Sequence, residues 1–225
     1  MEHRSVAIDG PAGAGKSTLA RAMAQQLNFR YVDTGAIYRT VALGLYRTGQ
    51  DVSKVLEQPQ CLAAMDIHMD YDTEGLQHMY LNGEDVTTAI REHYVSAITS
   101  QVAAHPNVRA FLLEVQRKQA NLHDVVMDGR DIGTVVLPHA DVKVYLTASP
   151  EERARRRYLE LEQKGDTTPM EQVLQDIIKR DEQDKNRPIA PLRQAEDAVV
   201  LDTTTLNQKE SLDALVTLVR ERLSL

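Results

Sequence analysis

Apolar positions along the chain fall into two rhythms. Five short runs are continuously apolar: Ser5–Asp9 (SVAID), Arg30–Asp33 (RYVD), Val125–Asp128 (VVMD), Val142–Leu146 (VKVYL) and Ala198–Asp202 (AVVLD). Unbroken runs of this length, rather than alternating ones, predict strands covered on both faces. Four of the five end in aspartate. Between them, apolar residues recur every three or four positions over 16–27, 36–48, 150–164 and 208–222, which predicts helices. Ser149-Pro150-Glu151-Glu152 predicts a capping-box start for one of them, with Ser149 as cap and Pro150 at the first helical position. Strands alternating with helices imply a parallel sheet with helices on both faces, so an α/β three-layer sandwich is expected.

Residues 66 to 86 break this rhythm. There apolar and polar positions alternate, with turn signals at Glu74-Gly75 and Asn82-Gly83, which predicts a small antiparallel meander. Two helices should follow, 87–104 and 106–121, separated by Pro106. A meander between the second and third parallel strands is an insert into the core fold. No internal repeat, low-complexity stretch or linker is visible.

Composition narrows the function classes. A net charge of −7 over 225 residues provides no global basic field for a nucleic-acid polymer or an anionic membrane. An anionic ligand must therefore be met by a local cluster of arginines. A single cysteine, Cys61, excludes a disulfide framework and a cysteine-based metal site. Strand-like sequence within five residues of the start leaves no room for a signal peptide, and no apolar run approaches a membrane span. A soluble, reduced, cytoplasmic protein is expected.

Gly10-Pro11-Ala12-Gly13-Ala14-Gly15-Lys16-Ser17 matches G-x-x-x-x-G-K-[ST] in full, after a predicted strand and at the opening of a predicted helix. Glycines let backbone N–H groups turn inward around phosphate oxygens. The helix N-terminus adds positive potential, Lys16 can reach the β and γ phosphates, and Ser17 can ligate Mg²⁺. This is a nucleoside triphosphate site. No Asn-Lys-x-Asp reads guanine, and Asp128 is followed by Gly129 rather than a water-activating glutamate. Both absences favour phosphoryl transfer to a bound acceptor over hydrolysis.

Three further segments sit where open α/β sheets place ligands: 33–39 (DTGAIYR), 128–134 (DGRDIGT) and 179–193 (KRDEQDKNRPIAPLR). They supply Arg39, Arg130, Arg180 and Arg187, with Asp131 and Asp184 among them. Guanidinium forks match phosphate oxygens in a bidentate way and keep their charge when desolvated. Asp128, Arg130 and Asp131 form the densest knot. Stripped of water, such charges must pair with each other or await a charged ligand.

IDGPAGAGKST, YVDTGAIYR, SQVAAHPNVR, MDGRDIGTVVLP, EERARRR and RDEQDKNRPIAPL together resemble bacterial cytidylate kinase, nearly end to end. The resemblance implies transfer of the ATP γ-phosphoryl group to CMP or dCMP, with Mg²⁺. It implies ATP on residues Gly10 to Thr18 and a metal near Ser17 and Asp128. Arg39 and Arg130 would hold the acceptor phosphate with Arg187 adding charge. The cytosine edge would meet Thr34, Ser100, Arg109 and Asp131, and the sugar Arg180 and Asp184. Some members carry serine at position 34, and threonine keeps the hydroxyl. Residues 149–166 resemble the family's mobile lid, with Arg153, Arg156 and Arg157 on one helix face. Lys16, Arg130, Arg153 and Arg157 are the expected catalytic cations. The alternative for that face is a solvated surface paired with Glu160 and Glu162, and for Gly165 a helix terminator in place of a hinge. Within a single kinase domain, the core is expected at about 1–60, 105–148 and 168–225, the monophosphate-binding insert at about 61–104 and the lid at about 149–167. Small-molecule partners and a monomer are expected. The rival readings are a kinase of the same fold for UMP, AMP or a small hydroxy acid, and a nucleotide-switched binding module.

Overall fold

The computed structural model describes residues 3–163 and 165–225. Eight strands are present among them: β1 (Ser5–Asp9), β2 (Arg30–Asp33), β3 (Ile67–Tyr71), β4 (Gln77–Leu81), β5 (Glu84–Asp85), β6 (Val125–Gly129), β7 (Val142–Thr147) and β8 (Val199–Asp202). The five apolar runs form one parallel sheet in the order β2-β6-β1-β7-β8, and β3-β4-β5 form a separate antiparallel sheet. The helices are α1 (Lys16–Leu27), α2 (Thr34–Arg47), α3 (Val52–Leu56), α4 (Pro59–Ala63), α5 (His93–Ala104), α6 (Pro106–Leu122), α7 (Pro150–Gln163), α8 (Met170–Lys185) and α9 (Gln208–Leu223).

Strand alternation sends successive side chains to opposite faces, which divides the core. Ala7, Val125 and Met127 join the cluster built with α2, α5, α6 and the insert. Val6, Ile8, Val126 and Val144 join the cluster built with α1 and α9. β8 departs from the expected cover on both faces: it is the sheet edge, and Val200 is 49% exposed.

α2 begins two residues before its predicted start. Asp33 ends β2 and caps α2 at once, its Oδ1 accepting from Ala36 N at 2.9 Å, so no loop intervenes. The capping box of α7 is half formed. Ser149 Oγ accepts from Glu152 N at 3.2 Å, but the Glu152 carboxylate is drawn to Arg155 and Arg156 at 2.7 and 2.8 Å instead of returning to the cap. Residues 87–92 are not part of a long helix; a single 3₁₀ turn, Ala89–Arg91, precedes α5.

The insert grips β2 along its free edge. Gln77 Oε1 accepts from Asp33 N at 2.7 Å, and the Tyr71 hydroxyl donates to Tyr31 O at 3.0 Å. α7 and α8 share a small core of their own, Ala154 with Val173 and Ile177. No helix among the described residues is long and apolar enough to cross a membrane.

Candidate active site

Three of the four strand-ending aspartates converge because β2, β6 and β1 are adjacent. Parallel register sets Asp33 beside Asp128, and Asp9 beside Gly129. The fourth, Asp202, stands at the far edge and holds Thr204 in a turn. Asp9 takes both Ile132 N and Gly133 N at 2.7 Å. It thereby fixes a wide i-to-i+5 turn over Ile132–Val136, in which Val136 N reaches Asp131 O at 3.2 Å. Burial pushes the Asp9 carboxyl up to about 6 despite those two donors.

The phosphate loop closes around Lys16, which is buried and donates to Pro11 O at 2.7 Å. Burial, then the Arg130 charge, holds its ammonium well below the usual lysine range. Gly10 is obligatory here, because a Cβ would lie 1.9 Å from Leu146 O. Gly13, Gly15 and Thr18 leave backbone and hydroxyl groups at the loop surface, while Ala12 and Ala14 pack inward. Ser17 Oγ donates to Asp128 Oδ2 at 2.8 Å, and the Tyr31 hydroxyl donates to Asp128 Oδ1 at 2.8 Å. Burial and the neighbouring Asp33 raise the Asp128 carboxyl. The Ser17 hydroxyl and the Asp128 carboxylate are hard oxygen donors of the kind that fit a Mg²⁺ ion keeping most of its water.

The knot at 128–131 resolves into pairs that leave the segment. Arg130 Nε donates to Asp184 Oδ2 of α8 at 2.7 Å, and Asp131 pairs with Arg109 of α6. Burial raises the Asp131 carboxyl against the pull of Arg109. Arg109 also donates to Ala103 O at 3.1 Å and lies over the Tyr38 ring at 5.6 Å. Ser100 sits half-buried near the C-terminal end of α5, the helix preceding Arg109. Arg39 and Arg180 make no ion pair or hydrogen bond with another described residue, though each lies within electrostatic reach of Arg130. Arg187 donates to Ala190 O at 2.7 Å, and its buried Nε has no partner among the described residues.

Two of the expected site residues are already engaged by the protein. Thr34 Oγ1 donates to Asp128 O at 2.6 Å, which leaves the buried hydroxyl only as an acceptor. Arg153 is turned into the protein. It is 3% exposed and donates to Ala148 O and Ala12 O at 2.9 Å and to both oxygens of Asp181 at 3.1 and 2.6 Å. The three arginines expected on one lid face therefore part company. Arg156 turns to Thr203 O at 2.7 Å, and only Arg157 stays in solvent, paired with Glu160 at 3.1 Å. Gly165, at φ 77°, terminates α7, with Gly165 N on Glu162 O and Asp166 N on Leu161 O.

Sequence reasoning passed over Asp9, Tyr31, Asp33, Arg91 and Asp181. The strand-ending position was a usable signal for the first and third. Arg91, carried by the insert, donates to Asp33 Oδ2 at 2.8 Å, and nothing in its local pattern marks it. Against the cost of burial, Arg91 and then Arg39 keep the Asp33 carboxyl below its ordinary value.

A family model described as cytidylate kinase matches residues 6–221. The chain belongs to the cytidylate kinase family. The cytidylate kinase of Magnetococcus marinus is 45% identical over 218 residues, spanning 97% of this chain and 96% of its own. That of Carboxydothermus hydrogenoformans is 48% identical over 214 residues, spanning 95% and 96%. Among solved structures, shikimate kinase from Bacteroides thetaiotaomicron superposes with a TM-score of 0.50 at 16% identity, over 99% of both chains. An uncharacterized protein from Eubacterium ventriosum does so with 0.51 at 11%, again over 99% of both. These two likenesses concern the fold alone. Membership in the cytidylate kinase family makes ATP the phosphoryl donor, and the phosphate loop is where this chain would hold it.

Proposed function

We propose that the cluster at the ends of β1, β2 and β6 transfers the γ-phosphoryl group of ATP to CMP or dCMP. The observation that supports this reading is the parallel register that sets Asp9 beside Gly129, which brings the phosphate loop after β1 next to Arg130 after β6. Phosphates bound by the two segments would lie side by side. An oxygen of the acceptor phosphate attacks the γ-phosphorus, and the bond to the bridging oxygen breaks, leaving ADP and the nucleoside diphosphate. Lys16 and Arg130 oppose the negative charge that builds along this line. Backbone N–H groups of residues 10–18 hold the donor. Arg39, Arg180 and Arg187 complete the acceptor phosphate and sugar site with Asp184, and Arg91 is added to them through Asp33. Arg109, Asp131 and Ser100 face the base.

Mg²⁺ held near Ser17 and Asp128 would neutralise the β and γ oxygens. Tyr31 fixes the Asp128 carboxylate by its hydrogen bond, and burial keeps bulk water from competing. The lid, about 149–167, contributes Arg157 as its mobile cation. Arg153 acts as a strut between the lid root and the phosphate loop. The core at about 1–60, 105–148 and 168–225, with the insert at about 61–104, works as one monomeric cytoplasmic unit.

A coupled ATP-consumption assay over CMP, dCMP, UMP and AMP tests this. Faster turnover with CMP or dCMP is expected. Preference for AMP, or ATP loss independent of any acceptor, would overturn it.

A further inference from the structure

α6 carries a polar residue that the site described above does not use. Gln116 is 1% exposed, and its Nε2 has no hydrogen-bond partner among the described residues. The neighbouring Tyr38 hydroxyl feels this amide but does not satisfy the nitrogen. A buried donor left unpaired is costly, so its retention asks for an occupant. Gln116 lines a cavity of about 230 Å³ with Tyr38, Arg109, Ala110, Val136 and Ile189. Arg109 and Gln116 are two helical turns apart on one face of α6, so both side chains enter the same space.

The cavity is smaller than the roughly 300–1,000 Å³ of sites that take drug-sized molecules, which suits one six-membered ring rather than a whole nucleotide. Its walls are mostly apolar, with Tyr38 offering a ring face. Its open side passes Ala110 and Ile189, both exposed. At one end stands Arg109, held by Asp131. A planar ring inside it would have one edge toward Arg109 and another toward Gln116.

We propose that Gln116 is a further specificity-determining residue. The acceptor's pyrimidine ring enters this cavity, and its 2-carbonyl oxygen accepts a hydrogen bond from the Gln116 amide. This rests on reading the chain as a kinase of CMP. Cytosine and uracil share the 2-carbonyl and differ at position 4. Gln116 therefore selects for the pyrimidine ring as such, while Asp131 distinguishes between the two bases. The division of labour separates Gln116 from a residue that merely props the helix.

The test uses Gln116→Leu and Ala110→Phe in the full chain, with KM for CMP, UMP and ATP, kcat and melting temperature. Gln116→Leu should raise KM for CMP and for UMP by the same factor, about fivefold, leaving the CMP-to-UMP ratio and the KM for ATP unchanged. Ala110→Phe, at an exposed rim position, should fill the cavity and raise KM for CMP with an unchanged melting temperature, and it decides the matter if the Gln116 variant does not fold. Wild-type KM for CMP in Ala110→Phe and in a folded Gln116→Leu would overturn the proposal. So would a loss confined to one of the two pyrimidines. A wild-type protein inert toward CMP would instead remove the kinase reading and this inference with it.

Discussion

Arg153 at the start of α7 and the pair Arg39 and Arg180 of α2 and α8 differ in what they already hold. Arg153 is buried with all three side-chain nitrogens and its charge engaged by Ala12, Ala148 and Asp181. Arg39 and Arg180 crowd near Arg130 with no hydrogen bond or ion pair to another described residue. The first is architecture: its loss leaves a carboxylate stranded. The second pair repel Arg130 and each other, an arrangement that would favour an anion among them. Identical side chains thus serve opposite ends, and the acid nearby decides which.

Arg153→Met should produce the largest change in stability. It strands Asp181 and should cost about 3–5 kcal/mol, read as a lowered denaturant midpoint. An unchanged midpoint would move Arg153 into the group that waits for ligand. Lys16→Ala should do the reverse, lowering kcat at least about a hundredfold with the melting temperature intact. If turnover survives, the donor loop is not where the charge develops.

Asp9 extends the contrast to carboxylates, because both its oxygens are already engaged. Its folded value of about 6 stands above the ordinary 3.8, so between these limits the folded state holds a proton that the unfolded state has lost. Its contribution to stability is complete below pH 4 and disappears as pH rises through 6, a swing of up to about 3 kcal/mol. Asparagine cannot titrate, so the stability difference between wild type and Asp9→Asn should fall across that window. A flat difference would contradict the assignment.

Arg180→Met should weaken CMP by about 1.5–3 kcal/mol, roughly ten- to a hundredfold, without lowering the melting temperature or ATP affinity. A falling melting temperature would show that Arg180 is structural after all. On the proposed reading Asp131 belongs to both groups, anchoring Arg109 and facing the base. An ionised carboxylate there would accept from the cytosine amino group and repel the uracil carbonyl. Asp131→Asn keeps an acceptor for Arg109 while narrowing the CMP-to-UMP ratio of kcat/KM. A ratio within about twofold, some 0.4 kcal/mol, would leave Asp131 as a pure anchor.

The sheet was legible because buried parallel strands write themselves as continuous apolar runs, and the phosphate loop because few residue types permit its backbone. α8 was not. Its buried stripe runs Val173, Ile177, Asp181, Asp184, and only the first half of it is apolar. The two acids replace hydrophobes because Arg153 and Arg130 come to meet them, a long-range pairing that periodicity cannot register. The same blindness hid the inward turn of Arg153: spacing gives the helix face but not the acid on another helix. The segment at 128–131 was visible as charged, yet each charge finds its partner more than twenty residues away.

The insert's grip on β2 has a consequence for solubility. β2 is the last strand of the parallel sheet on its side, and an open strand edge invites pairing with another chain. Gln77 covers the outward N–H of Asp33, and Tyr71 covers the outward carbonyl of Tyr31. Side-chain groups thus stand where a neighbouring strand would bond, without offering a further edge of their own. A shortened chain lacking the meander would uncover the main chain of β2, and with it a seam along which molecules could stack.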